Sequence, residues 1–333
     1  MTWEELDWAA LDRLRALFLK SEPVKEPYWR SESDLASYDF TYAQRIGWKW
    51  DAVLEELVRL GWTPPAGPLL DWGCGSGVAS RCVVGTFGAG HFGRLRLHDR
   101  SGLAMSYARQ RASARFPGLD VSMDPQGEEA CGTLVVSHVL NELHQDDLPR
   151  LLRAVRSAEC VLWVEPGTHV VSRGLIELRE RLRDEFHVVA PCPHRRACGL
   201  LPEGRERDWC HFFAKTPTEV FTDGRWARFG QRAGVDLRSL PYSWLVLDRR
   251  PVAEWSPHRA RVLGFAEVFK PYARVDVCHA GATERIDVAK RTHAAVYKSL
   301  KATPPPPEIP LPGVEGVEAA DAGADGADVP AGG

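Results

Sequence analysis

The chain predicts an α/β fold built on a doubly wound sheet, and three observations predict it. Short apolar runs at residues 68–72, 95–98, 119–123, 133–137 and 161–165 alternate with stretches at 77–87, 102–115 and 146–156, each long enough for a helix. Parallel strands need long crossovers, so this alternation implies helices on both faces of a parallel sheet. A glycine-rich turn, Asp71-Trp72-Gly73-Cys74-Gly75-Ser76-Gly77, joins the first run to the first helix. The second run closes on the acidic Asp99, 28 residues after Asp71.

Ahead of the sheet, residues 1–62 read as a helical extension. Leu11, Leu14, Leu17 and Phe18 recur at helical spacing, as do Val53, Leu54, Leu57, Val58 and Leu60. Trp3, Trp8, Trp48, Trp50 and Trp62 are expected to pack rather than bind. Residues 63–185 form the expected nucleotide-binding core. A helix at 172–184 leads into 186–302, a cysteine-rich, irregular module. A strand at 242–248 and a hairpin, 274–278 with 285–289, are expected there to complete the sheet. Residues 303–333 are Pro-rich, then acidic; they carry too little apolar area to offset ordering and are expected to be disordered.

Composition narrows the function classes. No apolar run reaches the roughly 18 residues of a membrane span, and the first residues lack the basic and apolar parts of a signal peptide. A cytoplasmic location is expected, where eight cysteines serve as thiols or metal ligands rather than disulfides. The net charge of −3 hides an asymmetry: residues 225–301 hold 15 Lys and Arg against 7 Asp and Glu, while 302–333 hold six acidic residues and no basic one. A basic lobe beside an acidic tail suggests a polyanionic partner, although a scattered basic surface gives the same count.

The glycine turn has the spacing Gly-x-Gly-x-Gly with Asp in front. Glycines let the backbone turn sharply and approach a ligand, with helix N–H groups aimed at it. An acidic residue at the position of Asp99 takes the two hydroxyls of a ribose. This form resembles motif I of the S-adenosylmethionine-dependent methyltransferases of the seven-stranded doubly wound type. Residues 88–93 also match a dinucleotide pattern, but they precede a strand instead of following one and read as a loop.

Cys192, Cys198 and Cys210 crowd into nineteen residues, and Cys278 follows far downstream. Their spacing fits neither a zinc ribbon nor a Cys₂His₂ finger. Four thiolates and a Cys-Pro step suit an iron–sulfur cluster, whereas His194 and His211 stand close enough to compete as zinc ligands; both metals remain open on spacing. Pro191-Cys192 is also similar to the nucleophile of cytosine-5 methyltransferases, but it stands after the fifth strand rather than the fourth. Cys74 is read as a small loop residue, and Cys82, Cys131 and Cys160 as inert core.

Together these motifs resemble the methyltransferase-like proteins of the small ribosomal subunit. The resemblance rests on 70–77, 135–143 (Val-Val-Ser-His-Val-Leu-Asn-Glu-Leu), 164–168 (Val-Glu-Pro-Gly-Thr), 190–194 (Ala-Pro-Cys-Pro-His), 208–212 (Asp-Trp-Cys-His-Phe) and 275–278 (Val-Asp-Val-Cys), and runs from about Tyr38 to Lys301. It implies S-adenosyl-L-methionine at Asp71, Gly73, Gly75, Gly77 and Asp99. It also implies a 4Fe-4S cluster on Cys192, Cys198, Cys210 and Cys278, with zinc as the alternative. The expected partners are the small ribosomal subunit and its rRNA, with no membrane and no DNA. The chain departs from the family pattern at Cys198-Gly199, where Cys-Pro is usual, and in its acidic end. The implied function is an rRNA-binding assembly factor with a methyltransferase fold; the alternative is an active rRNA methyltransferase. No catalytic residue is assigned: His138, Glu142 and Glu165 stand where such folds place the acceptor, and a structural hydrogen-bonded role serves them equally. The closely spaced cysteine triplet of radical S-adenosylmethionine enzymes is absent.

Overall fold

A computed structural model describes residues 1–19, 27–253, 256 and 258–311. Three helices come first: α1 (Trp8–Phe18), α2 (Glu32–Phe40) and α3 (Tyr42–Arg59). Asp7 and Ser31 start the first two by accepting from the backbone of Ala10 and Asp34. The core then runs β1 (Leu69–Trp72), α4 (Val78–Phe87), α5 (Ala89–Phe92), β2 (Arg94–His98), α6 (Gly102–Arg115), β3 (Asp120–Met123), β4 (Cys131–Ser137), α7 (Leu148–Ser157), β5 (Ala158–Pro166), α8 (His169–Leu182) and β6 (His187–Ala190). The two-residue β7 (Phe212–Phe213), α9 (Glu219–Thr222), α10 (Gly224–Ala233) and β8 (Pro241–Asp248) follow. The chain then adds β9 (Arg259–Val268), β10 (Tyr272–His279), β11 (Ala282–Ala289), α11 (Ala294–Ser299) and β12 (Glu308–Pro310).

The main sheet has the order β3-β2-β1-β4-β5-β8-β6, with β7 added alongside β8. Strands β1 to β5 are parallel, and β8 runs antiparallel to both β5 and β6. This is the seven-stranded mixed sheet of the methyltransferase type, as the glycine turn led one to expect. Both faces are covered. Val135, Leu162, Val164, Trp244 and Val246 pack toward α3, α4 and α6; Leu134, Val136, Val161, Trp163, Leu245 and Leu247 pack toward α7 and α8. Burial on both faces is why these strands read as continuous apolar runs.

Three expectations are corrected. Of the strands expected at 242–248, 274–278 and 285–289, the first, β8, joins the main sheet; the hairpin β10–β11 belongs to a second, antiparallel sheet of order β11-β10-β9-β12. The reason lies in its alternation. Ala273, Val275 and Val277 face a separate core with Tyr297, Leu300 and Ile309, while Arg274 and Asp276 face Asp287 and Arg285 across the strands at 2.8 Å. One apolar face suits a sheet half open to water and not the doubly buried one. The tail beginning at 303 contributes β12: Ile309 is buried, and Glu308 pairs with Arg259 at 3.0 Å and with Arg59. The part of the expected tail from 312 onward lies outside the described residues. Within 88–93, read as a loop, Ala89–Phe92 forms a single helical turn.

Candidate functional site

The sheet order reverses direction between β1 and β4, and in open α/β sheets ligands bind beyond the carboxyl ends at such a point. The glycine turn lies there. Gly73, Gly75 and Gly77 have φ of 76°, 50° and 76°, a left-handed region that side chains disfavour. The carbonyl of His98 accepts from the N–H groups of Gly73 and Cys74 at 2.8 and 2.9 Å, which ties the turn to β2. Asp99 accepts from the N–H groups of Gly75 at 3.0 Å and Ser101 at 2.8 Å.

These groups border a cavity lined also by Trp72, Cys74, Ser137, His138 and Glu142. Gly73, Gly75 and Asp99 reach it. A Cβ on Gly75 would meet nothing within 4 Å, so the backbone there faces open space. Asp71 and Gly77 stand behind the turn instead. Asp71 is fully buried and accepts from Ser80 Oγ at 2.5 Å; burial pushes its carboxyl up to about 6. Gly77 packs against Ala108.

The far wall comes from residues that sequence reasoning did not single out. Tyr28, Trp29, Tyr38 and Ile46 of the N-terminal extension line the cavity. Tyr28 donates to Glu142 at 2.9 Å, and burial raises Glu142 to about 7. Lys49, buried on α3, has Nζ 3.2 Å from Nε2 of His138; burial pulls the lysine down to about 7, and burial together with the Lys49 charge holds His138 well below its usual range. His138 has φ 56°, an uncommon conformation for a non-glycine residue, at the carboxyl end of β4. Glu165 accepts from Trp163 Nε1 and from the N–H groups of Val139 and Leu140 at 2.8, 3.1 and 3.2 Å, which fixes the loop after β4. No local signal marks Lys49: it is a charge on a helix whose buried neighbours reveal its direction only once folded.

A second cavity holds the cysteines. Cys192, Cys198, Cys210 and Cys278 line it together with Arg179, His194, Leu200 and Trp244. Cys192 follows β6, Cys198 and Cys210 sit in the irregular segment, and Cys278 ends β10, so the main sheet and the second sheet both contribute. Arg179 on α8 donates from Nε to Cys192 at 3.2 Å and from Nη2 to the carbonyls of His194 and Arg196, while Nη1 pairs with Glu180. His194 Nε2 lies 3.4 Å from Cys278. Burial, then the charges of its neighbouring thiols, raises Cys210 well above its ordinary value; burial pushes Cys198 up to about 11. Thiols crowded into one buried cavity ionise together only beside compensating positive charge, which suits a cationic group bound among them. Among the described residues, no three His, Cys, Asp or Glu approach closely enough to hold a single metal ion. His211 does not line this cavity, whereas His194 does.

Gly199 explains the departure from Cys-Pro. Its Cβ would stand 2.7 Å from the Gly281 carbonyl and 2.9 Å from the Thr283 nitrogen, so the segment after Cys198 presses backbone against the β10–β11 turn. Cys82, Cys131 and Cys160 lie apart from both cavities and pack in or against the core. The basic count of 225–301 shrinks on folding: Arg225, Arg238, Arg250, Arg274 and Arg285 pair with nearby Asp residues. Among the described residues, Arg228, Arg249, Lys270, Lys290, Arg291, Lys298 and Lys301 enter no salt bridge and carry the surplus; Lys290 and Lys301 each lie 5.8 Å from the Tyr297 ring.

Comparison with known proteins adds to this geometry. The chain is similar to the Pyrococcus horikoshii protein PH1948 (13% identity, 72% of this chain and 98% of that one, TM-score 0.38). It is similar too to S-adenosylmethionine-dependent methyltransferases from Aquifex aeolicus (14%, 49% and 93%, 0.36) and Thiobacillus denitrificans (16%, 58% and 88%, 0.32). These likenesses are faint, and the fold stands on the strand order itself. No curated protein matches the chain. The family described as Rsm22, mitochondrial small ribosomal subunit Rsm22, matches residues 98–304, more than half of the 333 residues. The chain belongs to that family.

Proposed function

From that membership we propose that the protein is a cytoplasmic assembly factor of the small ribosomal subunit that binds its rRNA, keeps a pocket for S-adenosylmethionine, and carries a 4Fe-4S cluster. One observation carries the reading furthest. Four cysteines spread over residues 192–278, all inside the matched span, line one cavity at the junction of two sheets. Four thiols that surround a cavity without converging on a point suit a cluster, in which each iron takes one sulfur, better than one tetrahedral ion. Cys192, Cys198, Cys210 and Cys278 would hold the cluster, with Arg179 offsetting its negative charge. Such a group supplies a cross-link between the sheets.

In the other cavity, Gly73 and Gly75 would let backbone approach the cofactor, and Asp99 would accept from its ribose. Asp71 and Gly77 would keep the turn in shape. Bound S-adenosylmethionine supplies an electrophilic methyl. An active rRNA methyltransferase is the second reading, favoured by His138, which lines the cavity facing the glycine turn with Lys49 behind it at 3.2 Å: a neutral imidazole there could take a proton from an acceptor.

The test is sedimentation of anaerobically purified protein with small ribosomal subunits from cells that lack it, together with iron and sulfide analysis and labelled methyl from S-adenosylmethionine. Co-sedimentation that weakens steeply with salt, with about four irons and four sulfides bound, supports the assembly factor. Label entering rRNA, and absent with Gly75→Arg, favours the enzyme. No association at low salt overturns both readings.

A further inference from the structure

After a turn that ends at Arg207, residues 208–217 run as an extended segment along the carboxyl rim of the main sheet, and their alternation is two-faced. Phe212, Ala214 and Thr216 are buried, and Cys210 turns its sulfur into the thiol cavity. Trp209, His211 and Phe213 point the other way and stay half-buried, between the exposed Arg207 and Lys215. The outward rings form a row. Trp209 and His211 stack with centroids 4.7 Å apart and planes 19° apart; His211 meets Phe213 edge-on at 5.3 Å; Phe213 lies over Phe265 of β9 at 4.0 Å. Phe265 is 47% exposed, and His169 adds a ring against Trp209 at 5.4 Å. The row is anchored to the rim by Trp209 Nε1 donating to the Gly167 carbonyl at 3.3 Å, just beyond β5.

A large apolar side chain left open to water is ordinary when single; an ordered file of rings between two cations is not. Every nucleobase has a π-face, so aromatic rows bind single-stranded nucleic acid with little sequence demand, while cations at the ends take the phosphates. We propose that Trp209, His211, Phe213 and Phe265 form a stacking platform for unpaired bases of single-stranded RNA, with Arg207 and Lys215 on the backbone. The proposal rests on the rRNA-binding reading and gives it a surface distinct from the lysines around Tyr297. It also gives the thiol cavity a route to RNA: Cys210 lies between Trp209 and His211, and its carbonyl is held by Ser243 Oγ at 2.6 Å. A group that fixes Cys210 fixes the spacing of the rings on either side.

The experiment measures binding of the full chain to a 12-nucleotide oligouridine, to an RNA duplex of equal length, and to small ribosomal subunits. Phe213→Ala with Phe265→Ala should weaken oligouridine binding about 10- to 100-fold, since a lost base stack costs roughly 1–3 kcal/mol and 1.4 kcal/mol is tenfold. Phe213→Trp should retain it, which separates stacking from folding; unchanged thermal unfolding of the double variant is the second control. Oligouridine carrying 5-bromouracil should cross-link to the 207–217 peptide. Wild-type protein that sediments with subunits but ignores oligouridine overturns the platform and leaves the proposed function standing. Oligouridine binding that survives the double variant also overturns it. Loss of both activities in the wild type removes the function reading as well.

Discussion

The two cavities are built on opposite plans. The glycine-turn cavity draws its cofactor side from one strand-turn-helix step plus the ends of β2 and β4, all from the parallel core. The thiol cavity is assembled from the end of β6, an irregular segment and the end of β10, which belong to two sheets; the second has a core of its own and meets the main core through Leu263 and Cys278. The first is therefore as stable as the core that presents it. The second exists only while the second sheet stays docked, and whatever occupies it reports on that docking.

Arg261 offers the largest test of this contrast. It is fully buried on β9, pairs with Glu56 of α3, and donates from Nε to the Pro191 carbonyl at 2.8 Å, next to Cys192. Arg261→Ala leaves buried Glu56 to the more exposed Arg59, 3.9 Å away, and should cost about 3–5 kcal/mol in guanidinium unfolding. It should also scatter the thiol cavity while S-adenosylmethionine binding persists. Equal loss at both cavities would erase the distinction.

Chelation of the proposed cluster comes next. A cross-link from Cys210 to Cys278 closes a loop of about 67 residues, and its loss should cost on the order of 4 kcal/mol. Hydrogen exchange should then quicken in β9 to β12 and stay slow in β1, β4 and β5; uniform quickening would mean that the sheets unfold as one.

A pair of glycine variants sharpens the comparison. Gly199→Ala drives a methyl into backbone and should destabilise by about 1–3 kcal/mol. Gly75→Ala meets open space and should cost only about 1–2 kcal/mol of left-handed strain, while weakening S-adenosylmethionine binding. Calorimetric titration of both variants checks whether each effect stays in its own cavity.

The smallest effect is a pH slope. Lys49 titrates near 7 when folded against an ordinary 10.5, so between those values the unfolded chain binds the extra proton and stability rises with pH. Below about 7 the term is flat. Glu142 and Glu165 act with the opposite sign, favouring the fold less as pH climbs from 4.5 to about 7. Lys49→Met should remove a slope of at most about 1.4 kcal/mol per pH unit above pH 7, read by urea unfolding at pH 7, 8 and 9. An unchanged slope would mean that Lys49 is charged in the folded protein.

The sequence by itself determined the doubly wound core. Its inner strands β1, β4 and β5 are buried on both faces and the sheet is punctuated by helices, so five apolar runs match β1 to β5 with only end residues displaced. The glycine turn and Asp99 were legible for the same reason: a local geometric need leaves a local residue pattern. The four cysteines were legible as a set because thiols are scarce. What only the tertiary structure decided is which groups stand opposite one another. Tyr28 meets Glu142 across 114 residues, Lys49 meets His138 across 89, and Arg179 reaches Cys192 from a helix that carries no sign of it. The placing of β10 and β11 in a second sheet was also hidden, because a one-sided strand pairs equally well by hydrogen bonds with either sheet edge. Its partner is chosen by which apolar face it must cover, and that face is formed by β9, α11 and β12, neighbours in sequence whose apolar sides come together only on folding.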